Sequence, residues 1–169
     1  MANLKDSGAR REFESGAVRD VQEGKGRCDL LPLSVVTLII DPCGEPCDTL
    51  LYIDNYIRTG KTDFLCLAVK NFVADETKNW DLCTAMLEVA KHYEDGAKKY
   101  AERNWEKGIP LHCYIDSGVR HYLKFRRGDT DEPHDRAFIW NMLCAVWTHK
   151  NKPELIDLPF KKENNNEVN

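Results

Sequence analysis

The sequence lacks an apolar run long enough to cross a bilayer. Its longest, Leu30 to Ile40, spans eleven residues and is interrupted by Pro32, whereas a membrane helix needs about twenty. The opening residues, Met1-Ala2-Asn3-Leu4-Lys5-Asp6, carry no apolar stretch of the kind a signal peptide uses, so no membrane partner and a cytoplasmic location are expected. A basic excess is also missing: 24 Lys and Arg stand against 28 Asp and Glu, a net charge of −4. That balance argues against a dedicated binder of duplex nucleic acid. No Gly-x4-Gly-Lys-Ser/Thr loop, Gly-x-Ser-x-Gly elbow or Gly-x-Gly-x-x-Gly turn occurs, which leaves P-loop, acyl-transfer and dinucleotide-redox chemistry without support. Internal repeats and coiled-coil heptads are absent too.

What is present reads as one helical domain. With 169 residues and 42% hydrophobic content, the chain suffices for a core of several helices. The seven cysteines are odd in number and sit mostly in apolar runs, a pattern of reduced thiols rather than a disulfide framework. Cys43 and Cys47, around Gly44-Glu45-Pro46, read as ordinary thiols at a turn, because neither Cys28 nor Cys66 completes a zinc-ribbon spacing. Apolar recurrence at three- and four-residue steps predicts helices over 48–58, 64–72, 75–100, 111–127 and 134–148. Residues 30–40 fit a strand by their β-branched content and a short helix after Pro32 equally well. The fold class expected is therefore mainly all-α, with a possible short β element near 30–45. Residues 1–27 read as an N-terminal arm or loop, 28–149 as the helical domain, and 150–169 as a C-terminal tail.

Four constellations could carry chemistry. Glu88, His92, Asp95 and Lys99 share a helix face, where a carboxylate and an imidazole four apart can hold one cation; a solvated face of ion pairs is the commoner use of such spacing. Asp116, Arg120, Lys124 and Arg127 place a basic stripe on the next helix, with His121 beside it, and guanidinium groups suit phosphates. Asp131, Glu132, His134 and Asp135 gather at a helix start, with Asn141 two turns on. There, Glu132-x-x-Asp135 could share a metal or simply favour the helix N-terminus. Finally, Lys25 and Arg27 lie on a glycine-flanked loop, while Lys98, Lys99, Tyr100, Asn104 and Trp105 could hold phosphates and stack on a base.

Several of these words together resemble a family. Phe13-Glu14-Ser15-Gly16-Ala17-Val18-Arg19-Asp20, followed by Gly24-Lys25-Gly26-Arg27-Cys28-Asp29-Leu30, is similar to the opening of the phage and bacterial dATP/dGTP diphosphohydrolase family. Gly96-Ala97-Lys98-Lys99-Tyr100 with Asn104-Trp105-Glu106-Lys107-Gly108 resembles its Gly-Ala-x-Lys-Tyr-x3-Asn-Trp-x2-Gly signature. Asp116 to Arg120-His121 is similar to its Asp-x3-Arg-His segment, and His134 through Trp140-Asn141 to its closing helix. The resemblance covers 13–34 and about 80–149. It implies an all-alpha fold like that of the MazG-like pyrophosphohydrolases, and metal-dependent cleavage of a purine deoxynucleoside triphosphate to monophosphate and pyrophosphate in phage nucleotide metabolism. It also implies a homo-oligomer. The residues expected to serve are Glu88, Asp95, Asp116, Glu132 and Asp135 for a divalent Mg or Mn, and His121, His134 and Asp135 for catalysis. Lys25, Arg27, Lys98, Lys99, Tyr100, Asn104, Trp105, Arg120 and Asn141 are expected to hold the nucleotide. One feature departs from the pattern: no Glu-x-x-Glu occurs. Either Glu88, Glu94 or Asp95 and the histidines replace it, or the metal site differs, or the protein binds a nucleotide without cleaving it, as a phage sponge for a signalling nucleotide would. A His-Asp phosphohydrolase is a further alternative.

Overall fold

The computed structural model describes residues 8–40, 48–77 and 79–161. It is mainly helical, as the apolar periodicity requires. Among the described residues, six α-helices run in chain order: α1 (Leu33–Ile40), α2 (Asp48–Thr59), α3 (Asp63–Asn71), α4 (Leu82–Tyr100), α5 (Leu111–Arg127) and α6 (His134–Asn151). The short strands β1 (Arg10–Glu12) and β2 (Val18–Asp20) pair antiparallel, Arg11 opposite Arg19.

α6 is the central helix and packs against α3, α4 and α5. It buries residues around most of its circumference, among them Ala137, Phe138, Ile139, Met142, Cys144 and Ala145, as a core helix must. Phe72, Tyr122, Phe125 and Phe138 interlock beside it, with Phe72 4.6 Å from Phe138 and 5.0 Å from Phe125, ring centre to ring centre. α1, α2 and α3 extend this core with Leu33, Leu50, Ile53, Tyr56, Leu65 and Ala68, all fully buried. Helix ends follow local chemistry. Asp81 caps α4 through Thr84 N–H at 2.7 Å. Gly128 ends α5 in the left-handed conformation that glycine adopts without strain. Gly60 does the same after α2, and the Phe160 ring lies against it.

Four details differ from the sequence expectations. Residues 33–40 form the helix after Pro32, with Val35 and Val36 N–H donating to the Pro32 carbonyl. A β element there is therefore corrected to a helix as far as Ile40; residues 41–47, including Cys43 and Cys47, lie outside the described residues. The strand pair forms instead within the N-terminal arm. The stretch 75–100 is not one helix: a π-helical turn at Phe72–Glu76 precedes α4. Finally, α4 buries Ala85, Val89 and His92, while Met86 and Leu87, apolar positions of the recurrence that predicts a helix over 75–100, stay exposed. The five described cysteines are free thiols. No helix among the described residues is long and apolar enough to cross a membrane.

The arm and the tail both pack on this body. Leu158 and Phe160 enter the core, and Asp157 accepts hydrogen bonds from the His112 backbone and ring. The Asn-rich segment from 162 onward lies outside the described residues.

Candidate functional site

One cavity of about 870 Å³ opens between the N-terminal arm, the end of α4 and the facing sides of α5 and α6, a volume suited to a nucleotide-sized ligand. Among the described residues, none from 33–71 lines it; α1, α2 and α3 support the wall from behind.

The helical wall carries aromatic rings. Tyr93 stands 5.6 Å from Trp105 and 6.0 Å from Trp140, and Trp140 lies 5.7 Å from the His92 ring. Burial holds His92 neutral, its pKa lowered to about 4, with Arg136 and Arg19 adding repulsion. Arg19 comes from β2. Its guanidinium lies over Tyr114 and Trp140 and donates to Asn141 Oδ1 at 2.6 Å and to the Cys113 carbonyl at 3.2 Å. A fixed cation on aromatic faces thus sits inside the cavity.

Residues of the Gly-Ala-x-Lys-Tyr-x3-Asn-Trp segment dock the arm. Lys99 Nζ and Tyr100 Oη donate to the two oxygens of Asp20 at 2.8 and 2.7 Å. Asp20 stays ionised because these bonds and the Lys99 charge outweigh its burial. Asn104 matches both backbone groups of Val18, accepting at 2.9 Å and donating at 2.8 Å. Ala101 and Arg103 hold positive φ of 103° and 54°, which turns the chain back after α4 and brings Asn104 under β2. Ser15 and Lys107 complete the seam through the carbonyls of Gly108 and Gly16. Trp105 meets Trp147 edge to face at 5.0 Å.

The Asp-x3-Arg segment of α5 holds the glycine loop. Asp116 accepts from Gln22 Nε2 at 2.7 Å and Cys28 N–H at 2.6 Å, and pairs with Arg120. Arg120 in turn donates to the carbonyls of Lys25 and Gly26, each at 3.1 Å. This suspends Lys25 at the cavity edge, where burial pushes its ammonium pKa down.

Two histidines and a glutamate meet where α5 faces the start of α6. His121 Nδ1 lies 3.0 Å from His134 Nδ1, and Glu132 Oε1 is 3.6 Å from each. His134 Nε2 is 2.8 Å from Asp131 Oδ1. Burial, then the neighbouring His134, drives the His121 pKa well below its ordinary value, so its ring is neutral and has a lone pair to offer. His121 and Glu132 line the cavity; His134 stands behind them, its side chain 1% exposed.

The cavity therefore gathers nine of the residues expected to serve, Lys25, Tyr100, Asn104, Trp105, Asp116, Arg120, His121, Glu132 and Asn141, and with them His92, Lys124 and Asp131 of the four constellations. Others lie elsewhere. Glu88 pairs with Lys91 and Arg136. Lys98 lies outside the cavity and pairs with Glu94, which lines it, and with Asp95, which does not. Arg27 is bound to Asp29, and Lys99, outside the cavity lining, bonds Asp20 and stands over the Tyr100 ring. Asp135 accepts from the Arg136 N–H at the helix start and does not line the cavity. Unanticipated from sequence as site residues were Arg19, Asp20, Tyr93 and Trp140. The arm segment Ala17-Val18-Arg19-Asp20 is a family-like word and was the available signal for the first two.

A family model described as dATP/dGTP diphosphohydrolase, N-terminal, matches residues 73–158. The chain belongs to that family. The matched stretch contains α4, α5 and α6 and with them the whole helical wall, including the Asn104-Trp105 turn, the Asp116–Arg120 pair and the His121–Glu132–His134 group. The family is one of nucleotide diphosphohydrolases, so hydrolase chemistry is the class of activity that membership brings. The arm, with Arg19 and Lys25, lies before the matched residues. No curated protein and no solved structure was found to match the chain.

Proposed function

We propose that the protein hydrolyses a purine deoxynucleoside triphosphate, dATP or dGTP, to the monophosphate and pyrophosphate with a divalent metal, and that it serves phage nucleotide metabolism. The single observation carrying this reading is that one cavity holds aromatic faces, fixed cations and an imidazole–carboxylate group together. The faces of Trp105, Tyr93, Trp140 and Tyr100 suit a purine, which gains from stacking. Lys25, Arg120, Lys124 and Arg19 supply positive charge for the polyphosphate. The carboxylate of Glu132 and the imidazoles of His121 and His134 are the donor set able to hold an ion, and the three atoms are close enough for one. When bound there, the ion supplies charge neutralisation and an activated water. Lys25, Arg120 and Lys124 line the same cavity as His121 and Glu132, so a polyphosphate bound there would meet both the cations and the ion. A homo-oligomer remains part of the proposal, carried by the family alone.

Incubating the protein with each deoxynucleoside triphosphate and Mn²⁺ or Mg²⁺ tests this. Equimolar pyrophosphate and monophosphate from purine nucleotides are expected. Release of triphosphate or orthophosphate would contradict the bond assignment. Recovery of intact nucleotide alone would favour the sponge reading, which the missing Glu-x-x-Glu pair supports.

A further inference from the structure

We propose that His121, Glu132 and His134 form one two-histidine, one-carboxylate site that takes a first-row transition ion such as Mn²⁺, Co²⁺ or Zn²⁺ in preference to Mg²⁺, with Asp131 as its positioning residue. Use of the ion in hydrolysis rests on the proposed function; its binding does not.

His121 Nδ1, His134 Nδ1 and Glu132 Oε1 form a triangle with sides of 3.0, 3.6 and 3.6 Å. Metal bonds of about 2.0–2.2 Å at right or tetrahedral angles hold neighbouring donor atoms about 2.8–3.6 Å apart. The triangle therefore already has the dimensions of one face of a coordination sphere. Its open side meets the cavity, which His121 and Glu132 line.

Hydrogen bonding supports the same assignment. Asp131 accepts from His134 Nε2, which fixes the His134 tautomer with Nδ1 bare and facing the other two donors. A carboxylate behind a ligating imidazole is the usual outer partner of a bound metal. Glu132, only 14% exposed, accepts no hydrogen bond among the described residues; Lys124 stands 4.0 Å away. The Glu132 carboxylate faces the cavity, and a cation inside the triangle would give it a closer partner than Lys124. Without the ion, one Nδ1 proton shared by the two imidazoles joins the histidines, and Glu132 keeps only the longer approaches to them and to Lys124.

The donor set decides the metal. Mg²⁺ demands oxygen ligands in a regular octahedron and retains its waters, while two imidazoles with a carboxylate suit later first-row ions. A second grouping, Asp129, Asp131 and His134, is also compact. It is a poorer holder, because Arg127 already binds both oxygens of Asp129 and Asp131 already faces Lys124 and His134.

Titrating the full chain with Co²⁺ and following its visible absorption tests the proposal. One equivalent is expected to bind with visible bands, to be displaced by Zn²⁺, and to resist a hundredfold excess of Mg²⁺. Glu132→Gln and His134→Gln are expected to weaken Co²⁺ binding at least a hundredfold, and Asp131→Asn about tenfold. Asp129→Asn is expected to leave it unchanged. Circular dichroism identifies any variant that fails to fold; should His134→Gln do so, the near-isosteric Glu132→Gln and Asp131→Asn carry the test. Displacement by equimolar Mg²⁺, or a wild-type Co²⁺ spectrum in folded Glu132→Gln, would overturn the proposal. Tight Co²⁺ binding without pyrophosphate release would uphold it and remove the hydrolytic reading instead.

Discussion

Residues 10–27 and helices α4–α6 face each other across one cavity, and different forces hold them. The helical wall is an apolar construction: Val89, Tyr114, Val119, Tyr122, Phe138 and Met142 are buried, and their removal from water holds the helices together. The arm buries little apolar surface, with Ala17 its one fully buried hydrophobic residue among those described. Two strands of three residues are not stable alone. The arm stands because Asp20, Val18, Ser15, Gln22 and the Gly24–Gly26 loop are each gripped by polar groups of the helical wall. Each such bond contributes about 1 kcal/mol net, so the arm is held by a sum of small polar terms. The wall with the family signature is thus also the clamp that places Arg19 and Lys25.

That contrast is open to attack, first at the point where the arm enters the cavity. Arg19→Ala removes the cation over Tyr114 and Trp140 and its bond to Asn141. Nucleotide affinity is expected to fall at least a hundredfold, about 3 kcal/mol, while the helical content seen by circular dichroism stays near wild type. Direct nucleotide titration measures it.

The opposite result is expected on the supporting side. Gly60 has φ +70°, and a Cβ there would lie 2.7 Å from the Phe160 ring. Gly60→Ala is therefore expected to lose about 2–3 kcal/mol of stability in urea unfolding, with nucleotide affinity of the folded protein unchanged.

Acid sharpens the comparison from inside the cavity. His92 has a folded pKa of about 4 against an unfolded value near 6.5. As pH falls from 6.5 to 4, the unfolded chain takes up a proton that the folded chain refuses, so stability falls by about 2–3 kcal/mol. His92→Gln is expected to flatten that part of the unfolding free energy against pH.

The smallest effect is expected at the start of α5, outside the seam. The bond from His112 to Asp157 raises the His112 pKa to about 10, so its stabilisation is complete below about 6.5 and disappears as pH rises through 10. Asp157 is 39% exposed, and solvent screening brings the expected loss to about 1 kcal/mol. A melting temperature that falls between pH 7 and 10 in the wild type, and less in Asp157→Asn, checks it.

The same contrast explains what could be read from the sequence. Residues 111–127 form α5 with the bounds that periodicity gives, because its buried residues recur with the helical period and Gly128 closes it. α2 and α6 extend only one and three residues beyond their expected ends. The run 33–40 satisfied two patterns at once, and only tertiary packing of Leu33 and Thr37 decided for a helix. The hairpin left no periodic trace, since strands of three residues are too short to alternate and are fixed by distant partners. Site residues behaved likewise. Lys25, Arg120, His121 and Glu132 carry recognisable chemistry and do converge. Arg19 and Trp140 resemble an ordinary surface charge and an ordinary core ring until folding brings them 5.7 Å apart. Glu88 and Asp95 share the expected helix face, but Arg136 and the lysines occupy it.

Hydrogen exchange of the full chain, with and without dGTP and Mn²⁺, tests most directly whether the arm is half of the site. Slowed exchange in residues 16–27 together with 92–105 and 116–134 is the predicted result. Protection confined to 92–134, with the arm exchanging as fast as before, would contradict it.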